Sequence, residues 1–276
     1  MQKSIQFTKM SGSGNDFILI DNREGMLDAD RLSDWVAKVC RRRLSVGADG
    51  VVLIEPSHKA DFKWRFFNSD GSEAEMCGNA GRCVVRFARL KGIVGSDQMS
   101  FETLAGIIHG EYNGKCVKIQ LTRPSTPVMD IELAVDNRKI LLHSINTGVP
   151  HAVQFVANLE TVEVARVGRA IRNHPYFAPA GTNMNFIHVL KNGTLAVRTY
   201  ERGVEDETLA CGTGCVASAL LAGIKGIASP PVEVITRGGE KLLIHFKSGG
   251  EGFSEVYLEG LARIIYEGYL NPEALD

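Results

Sequence analysis

The stretch that decides the fold is MCGNAGRC, residues 76–83, because ACGTGC at 210–215 states the same theme a second time. In both, a cysteine leads directly into glycine and then into helix-forming residues. From Cys77 the chain runs CGNAGRCVVRFARLKGI, and from Cys211 it runs CGTGCVASALLAGIKGI. Lys91-Gly92-Ile93 and Lys225-Gly226-Ile227 stand at the same offset from their cysteines, which predicts two helices of equal length, each stopped by a glycine. The segments upstream match as well: an alternating strand (FKWRFFN, then LAVRTYER) leads into a polar turn (SDGSEAEM, then GVEDETLA). The two cysteines are 211 − 77 = 134 positions apart in a chain of 276, about half its length. That spacing fits two similar domains facing one another across a cleft better than a many-unit solenoid.

Most of the remaining sequence reads as short β-branched or aromatic runs broken by Gly, Asn and Asp, among them FILIDN, GVVLIEP, VKIQLT, HAVQFV, NFIHVL, KLLIHF and EVYLEG. Helical periodicity appears near 30–43, 79–91, 160–173 and 212–225, so the class is α+β with strands dominant. TRPSTPVMD at 122–130 concentrates Pro, Ser and Thr near the midpoint and predicts the domain boundary.

Composition narrows the function. At 44% hydrophobic and 23% charged the chain is ordinary for a globular protein. Thirty-one basic and 32 acidic residues leave a net charge of −1 without a basic stripe, so neither nucleic acid nor an anionic membrane is an expected partner. The run Arg41-Arg42-Arg43 reads as the solvated end of a helix from about Asp30 to Cys40. MQKSIQFTKM lacks the apolar run of a signal peptide, and no segment holds the ~18 apolar residues of a membrane helix. A cytoplasmic protein with its six cysteines reduced is therefore expected. SGSGNDF at 11–17 precedes a strand instead of following one, which argues against a dinucleotide fingerprint.

Two thiols at two helix mouths have a definite chemistry. The first N–H groups of a helix lack internal partners and carry partial positive charge, so a carboxylate docks there and thiolate is favoured over thiol. Gly78 and Gly212 leave the backbone open to approach. A carboxylate held at such donors puts its α-carbon between the two sulfurs. One thiolate then removes the α-proton while the other thiol delivers a proton to the far face, inverting the centre. A single base returning its proton gives no inversion, so the duplicated motif suits an epimerase or racemase. Donors aimed at the carboxylate as it becomes enolate-like stabilise the carbanion, and each is worth about 3–4 kcal/mol in comparable oxyanion sites. No cofactor is required in principle, and no lysine motif marks a pyridoxal phosphate site. Cys40, Cys83, Cys116 and Cys215 read as small buried hydrophobes. Zinc is disfavoured, because Cys77 and Cys83 stand about 240° apart around a helix.

Taken with MSGSGNDFILID (10–21), VGADGVVLIE (46–55), FFNSDGSEAEMCGNAGRC (66–83), NTGVPHAV (146–153), GTNMNF (181–186) and YERGVEDETLACGTG (200–214), the chain resembles the diaminopimelate epimerases. The resemblance implies two pseudo-symmetric domains, each a strand-rich barrel around a central helix, with the active site in the cleft between them. Residues 1–121, rejoined by a strand at 263–276, would form one domain and residues 122–262 the other. It implies a homodimer that interconverts LL- and meso-2,6-diaminopimelate for lysine and peptidoglycan-precursor synthesis, using neither metal nor cofactor. Carried over by position, Cys77 and Cys211 are the acid–base pair, and His151 and Glu201 help set their protonation. Asn15, Asn68, Asn183, Glu201 and Arg202 hold the substrate's far amino-acid end, and Gly78, Asn79, Gly212 and Thr213 supply donors to the reacting carboxylate. His58, His109, His143, His174, His188 and His245 receive no role. Two positions depart from the pattern of some members: Gly50 replaces a glutamine and Val149 an asparagine, which affects distal recognition and not the inversion. Two alternatives stand beside this: a proline or hydroxyproline racemase of the same fold, which would not need Arg202 beside Glu201, and a redox-switched binding module working through a Cys77–Cys211 disulfide.

Overall fold

In the computed structural model the described residues are 5–136, 138–249 and 252–276; the first four residues of the N-terminal stretch searched for a signal peptide lie outside them. The chain divides into two compact units, Met1–Ile119 with Gly260–Asp276, and Gln120–Glu259.

The first unit contains β1 (Ile5–Gly12), β2 (Asn15–Asp21), α1 (Leu32–Val39), β3 (Gly50–Glu55), β4 (Phe62–Asn68), β5 (Glu73–Ala74), α2 (Gly78–Leu90), β6 (Gln98–Thr103), β7 (Gly106–Asn113) and β8 (Cys116–Gln120). The second contains β9 (Val128–Val135), β10 (Arg138–Asn146), β11 (Pro150–Phe155), α3 (Val164–Arg172), β12 (Asn183–Val189), β13 (Leu195–Glu201), β14 (Asp206–Thr208), α4 (Gly212–Ile224), β15 (Val232–Ile235), β16 (Lys241–Gly249) and β17 (Gly252–Leu261). Strand β18 (Arg263–Leu270) returns to the first unit and pairs antiparallel with β1.

The two units repeat one pairing scheme. In the first, β1–β2 is antiparallel, β2–β3 parallel, β3–β4 and β4–β5 antiparallel, β4–β6 parallel and β6–β7 antiparallel. In the second, β10–β11, β11–β12, β12–β13, β13–β14, β13–β15 and β15–β16 follow in the same order and the same senses. Parallel neighbours need a long crossover. Helices α1 and α3 supply it for the first parallel pair of each unit, and α2 and α4 for the second. This is a two-unit, pseudo-symmetric α+β fold, rich in strands.

The strand patterns decide which faces are buried. In β4 the alternation hides Phe62, Trp64 and Phe66 on one face, while Phe67 joins a cluster with Leu32, Val36 and Val39 of α1. In β13 the alternation hides Leu195, Val197 and Thr199, while Tyr200 packs with Val164 and Ile171 of α3. Gly168 makes the second contact possible, since a Cβ there would lie 2.3 Å from Tyr200 Cβ. Helix α4 is buried from Gly214 through Ala222 and packs against six strands, β10–β13, β15 and β16. A helix apolar on all sides belongs inside a sheet. Burying Leu220 and Leu221 completely contributes roughly 1.5–3 kcal/mol each.

Helices α2 and α4 are both 13 residues long and end identically. Gly92 (φ +67°) and Gly226 (φ +65°) adopt the left-handed conformation. Gly92 N–H donates to Arg89 O and Ile93 N–H to Ala88 O; Gly226 N–H donates to Gly223 O and Ile227 N–H to Ala222 O. These are two copies of one Schellman cap.

Two helices are shorter than the periodicity predicts. The first is a 3-10 turn at Ala29–Arg31 followed by α1, which ends at Val39, so the arginine run lies beyond it. Arg42 is not merely solvated, because its guanidinium bonds the carboxylates of Asp16 and Asp49. The third begins at Val164 and not at 160, since the Asn158 side chain and carbonyl hold Glu160 and Thr161 in a turn. Cys116 is half-buried instead of core, because the alternation of β8 turns it outward.

Candidate active site

Each unit has a helix whose N-cap is a cysteine. Cys77 (φ −141°, ψ 119°) and Cys211 (φ −119°, ψ 106°) both adopt extended backbone, and neither side chain caps its helix. Their carbonyls accept the first helical bonds, from Gly81 N–H at 2.8 Å and Cys215 N–H at 3.0 Å. The N–H groups of Gly78, Asn79 and Ala80, and of Gly212, Thr213 and Gly214, are the first-turn donors left for an anion. Cys77 is half-buried and Cys211 is 6% exposed.

The first mouth rests on a charged network. Arg82, fully buried one turn into α2, donates to Asn79 Oδ1 (2.9 Å), to Ser13 Oγ, to Gly78 O (3.4 Å) and to Leu261 O (3.4 Å). Asn79 Nδ2 donates to Asn15 Oδ1 at 2.7 Å, and Asn15 Nδ2 to Asp49 Oδ2 at 3.0 Å. Lys9 Nζ lies 2.8 Å from Asp16. Burial pushes the Asp16 carboxyl up, but Arg42 and Lys9 together hold it below its ordinary value. Gly12 lets β1 approach the helix, since a Cβ there would meet Asn79 O at 2.8 Å.

The second mouth rests on neutral groups. Cys211 Sγ lies 3.6 Å from Thr213 Oγ1, and Thr147 Oγ1 donates to Thr213 O at 3.1 Å. A Cβ on Gly214 would lie 2.2 Å from Asn185 Oδ1 and 3.3 Å from Cys211 Sγ, so the Asn185 carboxamide packs on the first turn beside the sulfur. Asn185 Nδ2 lies 3.1 Å from His151 Nδ1. Burial, with a lesser push from Arg202, lowers His151 to about 3, so its imidazole is neutral. Burial raises the carboxyl of Glu201, with Thr208 alongside as the smaller opposing influence.

The other residues expected to hold the substrate's far end already have protein partners. Asn183 is buried, donating to Pro150 O (3.2 Å) and accepting from Arg202 N–H (2.7 Å). Asn68 is exposed and donates to Ser72 Oγ at 3.0 Å within its own turn. Arg202 is partly exposed, with one guanidinium N–H donating to Ala180 O at 2.9 Å. Gly50 is buried in β3, where a Cβ would meet Phe67 O at 2.5 Å and the Phe66 ring at 2.8 Å. Val149 sits in the loop before β11, its carbonyl accepting from Thr147 N–H at 3.2 Å. Of the remaining cysteines, Cys83 and Cys215 are buried in α2 and α4, and burial pushes Cys40 up to about 12. Among the described residues no three His, Cys, Asp or Glu side chains gather as a metal site requires. No helix among them is long and apolar enough to cross a membrane.

The family model described as diaminopimelate epimerase matches residues 7–125 and 143–265, one span in each half of the chain. The chain belongs to the diaminopimelate epimerase family. A diaminopimelate epimerase of Aquifex aeolicus (strain VF5) is 50% identical, the match covering 99% of this chain and all of the relative. One of Hydrogenobaculum sp. (strain Y04AAS1) is 47% identical, covering 96% and 98%. Among solved structures, a PhzF-family phenazine biosynthesis protein of Bacillus anthracis shares the fold with a TM-score of 0.75 at 15% identity, covering 98% of this chain and 99% of that one. As in other folds reused for different chemistries, that last likeness speaks for architecture alone.

Sequence reasoning missed three residues around these mouths: Arg82, Asn185 and Thr199. Arg82 lies inside the opening motif, and an arginine flanked by Ala80, Gly81, Cys83 and Val84 in the first turns of a helix is the signal that could have found it. Asn185 and Thr199 carry no local signal. Their relation follows from the β12–β13 register, which sets them directly opposite each other.

Proposed function

We propose that this chain epimerises diaminopimelate, interconverting the LL and meso isomers with one thiol from each unit acting on a single α-carbon. The observation that carries the proposal is the pair of equal helices, each capped by a cysteine that leaves the first-turn N–H groups available, in a chain of this family. The α-carboxylate docks on backbone donors from Gly78–Asn79 and Gly212–Thr213. One sulfur, as thiolate, takes the α-proton; charge flows into the carboxylate, where the helix N–H groups stabilise it; the other sulfur, as thiol, returns a proton to the opposite face. Glu201 and His151 support the sulfurs of the site.

Asn15, Asn68, Asn183, Glu201 and Arg202 are proposed to bind the distal amino-acid end. Spare acceptor capacity on the amide oxygens suits an ammonium, and the guanidinium N–H groups of Arg202 other than the one held by Ala180 O suit a carboxylate. The enzyme is proposed to work in the cytoplasm as a homodimer, without cofactor.

The test is incubation of the purified protein with LL-diaminopimelate, without added cofactor, followed by chiral chromatography. Appearance of the meso isomer in the wild type, and its loss in Cys77→Ala and in Cys211→Ala, is the expected result. Turnover of proline without turnover of diaminopimelate would overturn the substrate assignment, and unchanged turnover in either variant would remove that thiol from the mechanism.

A further inference from the structure

Strands β11, β12 and β13, on which α4 packs, carry a hydrogen-bond chain whose polarity can be read atom by atom. Asn185 is fully buried and Thr199, opposite it, is 3% exposed. The amide nitrogen of Asn185 lies 2.9 Å from Ala152 O and 3.1 Å from His151 Nδ1. Ala152 O can only accept, so the atom facing it is the nitrogen and not the oxygen; turning the amide over would set two oxygens against each other. Thr199 Oγ1 donates to the remaining oxygen at 2.9 Å. One amide hydrogen goes to Ala152 O, and the other points at His151 Nδ1. That ring nitrogen must therefore offer its lone pair, which leaves the hydrogen of the neutral imidazole on Nε2. His151 is itself 1% exposed, and its Nε2 has no hydrogen-bond partner among the described residues. A buried N–H without an acceptor costs about 1–3 kcal/mol, a cost tolerated at sites awaiting a ligand.

We infer that Asn185, held by Thr199 and Ala152, is a positioning residue that locks His151 as an Nε2–H hydrogen-bond donor to an anion formed or bound during the reaction, and not as a proton-accepting base. The inference rests on the epimerase reading for the anion and goes beyond it in the role given to the imidazole. It is consistent with burial holding His151 uncharged. It also explains Gly214, because any side chain there would drive the Asn185 carboxamide out of place.

The tautomer can be read without substrate. A long-range ¹H–¹⁵N correlation spectrum of the folded protein labelled at histidine shows which ring nitrogen of His151 carries the hydrogen, with His151→Gln assigning the signals. The expected result is Nε2–H across the neutral range. Asn185→Asp, which turns the partner into an acceptor, should move the hydrogen to Nδ1 and lower kcat by about ten- to a hundred-fold, as loss of an orienting partner typically does, with a smaller change in KM. His151→Gln, which keeps a neutral N–H donor and removes the base, should retain more activity than His151→Ala. A wild-type spectrum with the hydrogen on Nδ1 would overturn the inference, as would equal loss in the Gln and Ala variants. Should Asn185→Asp fail to fold, the wild-type spectrum still decides. Absence of wild-type turnover on diaminopimelate would count against the epimerase reading alone, because the spectrum needs no turnover.

Discussion

The two helix mouths share one backbone and differ in what lies beneath them. Under α2 is a buried guanidinium tied through Asn79 and Asn15 to Asp49, with Arg42, Lys9 and Asp16 close by. Under α4 is a neutral set: Asn185, Thr199, Thr147 and an uncharged His151. The duplicated helix, its cysteine N-cap and its glycine stop are preserved, while the electrostatics diverge. A reaction needing one proton acceptor and one proton donor has a use for this. The two sulfurs therefore sit in unequal surroundings: charged side chains back the first mouth, while hydroxyls, an amide and an uncharged imidazole on which Arg202 acts back the second.

That contrast can be broken in several ways. The largest effect falls on the shared element: Cys77→Ala and Cys211→Ala should each lower epimerisation by about 10⁴-fold, because neither mouth can do both proton transfers. Chiral assay of initial rates checks it. Next, Arg82→Met should destabilise the protein by about 2–4 kcal/mol in urea unfolding, since Ser13, Asn79 and two carbonyls lose a buried partner. It should also slow alkylation of Cys77 by iodoacetamide more than that of Cys211. In the wild type, Cys77, the more exposed sulfur, should be the faster to react.

The neutral mouth gives a pH effect. His151 drops from 6.5 to about 3 on folding, so the unfolded chain binds its proton first. The stability this provides is fully present above pH 6.5 and is lost as pH falls toward 3, at about 1.4 kcal/mol per pH unit. Comparing urea unfolding of the wild type and His151→Gln between pH 6.5 and 4.5 isolates that slope, which the variant should lack. The smallest effect is that of Thr199→Val, which removes the donor to Asn185 Oδ1 and should cost about 1 kcal/mol.

Local signals in the sequence were enough for the helix mouths, because an N-cap, a glycine stop and a strand alternation are each written in a few consecutive residues. Cys77, Cys211, Gly92 and Gly226 stand where that pattern puts them. What it could not supply depends on register. Nothing near residue 185 in the sequence points to position 199 or 151; the parallel β11–β12 and antiparallel β12–β13 pairings bring these residues together. The same limit applies to Asn183, whose amide is engaged by Pro150 and by Arg202, a neighbour only in the fold. Gly50 obeys the same limit: the β3–β4 pairing brings Phe66 and the Phe67 carbonyl into the space a side chain would need.

The central claim is that inversion passes a proton in on one face and takes one out on the other. Its most direct test is the first few per cent of turnover of LL-diaminopimelate in D₂O, with mass and stereochemistry read on both pools. Meso product carrying one deuterium at the inverted carbon, with the remaining LL substrate still fully protonated there, is the predicted result. Meso product that retains the original α-hydrogen would contradict it.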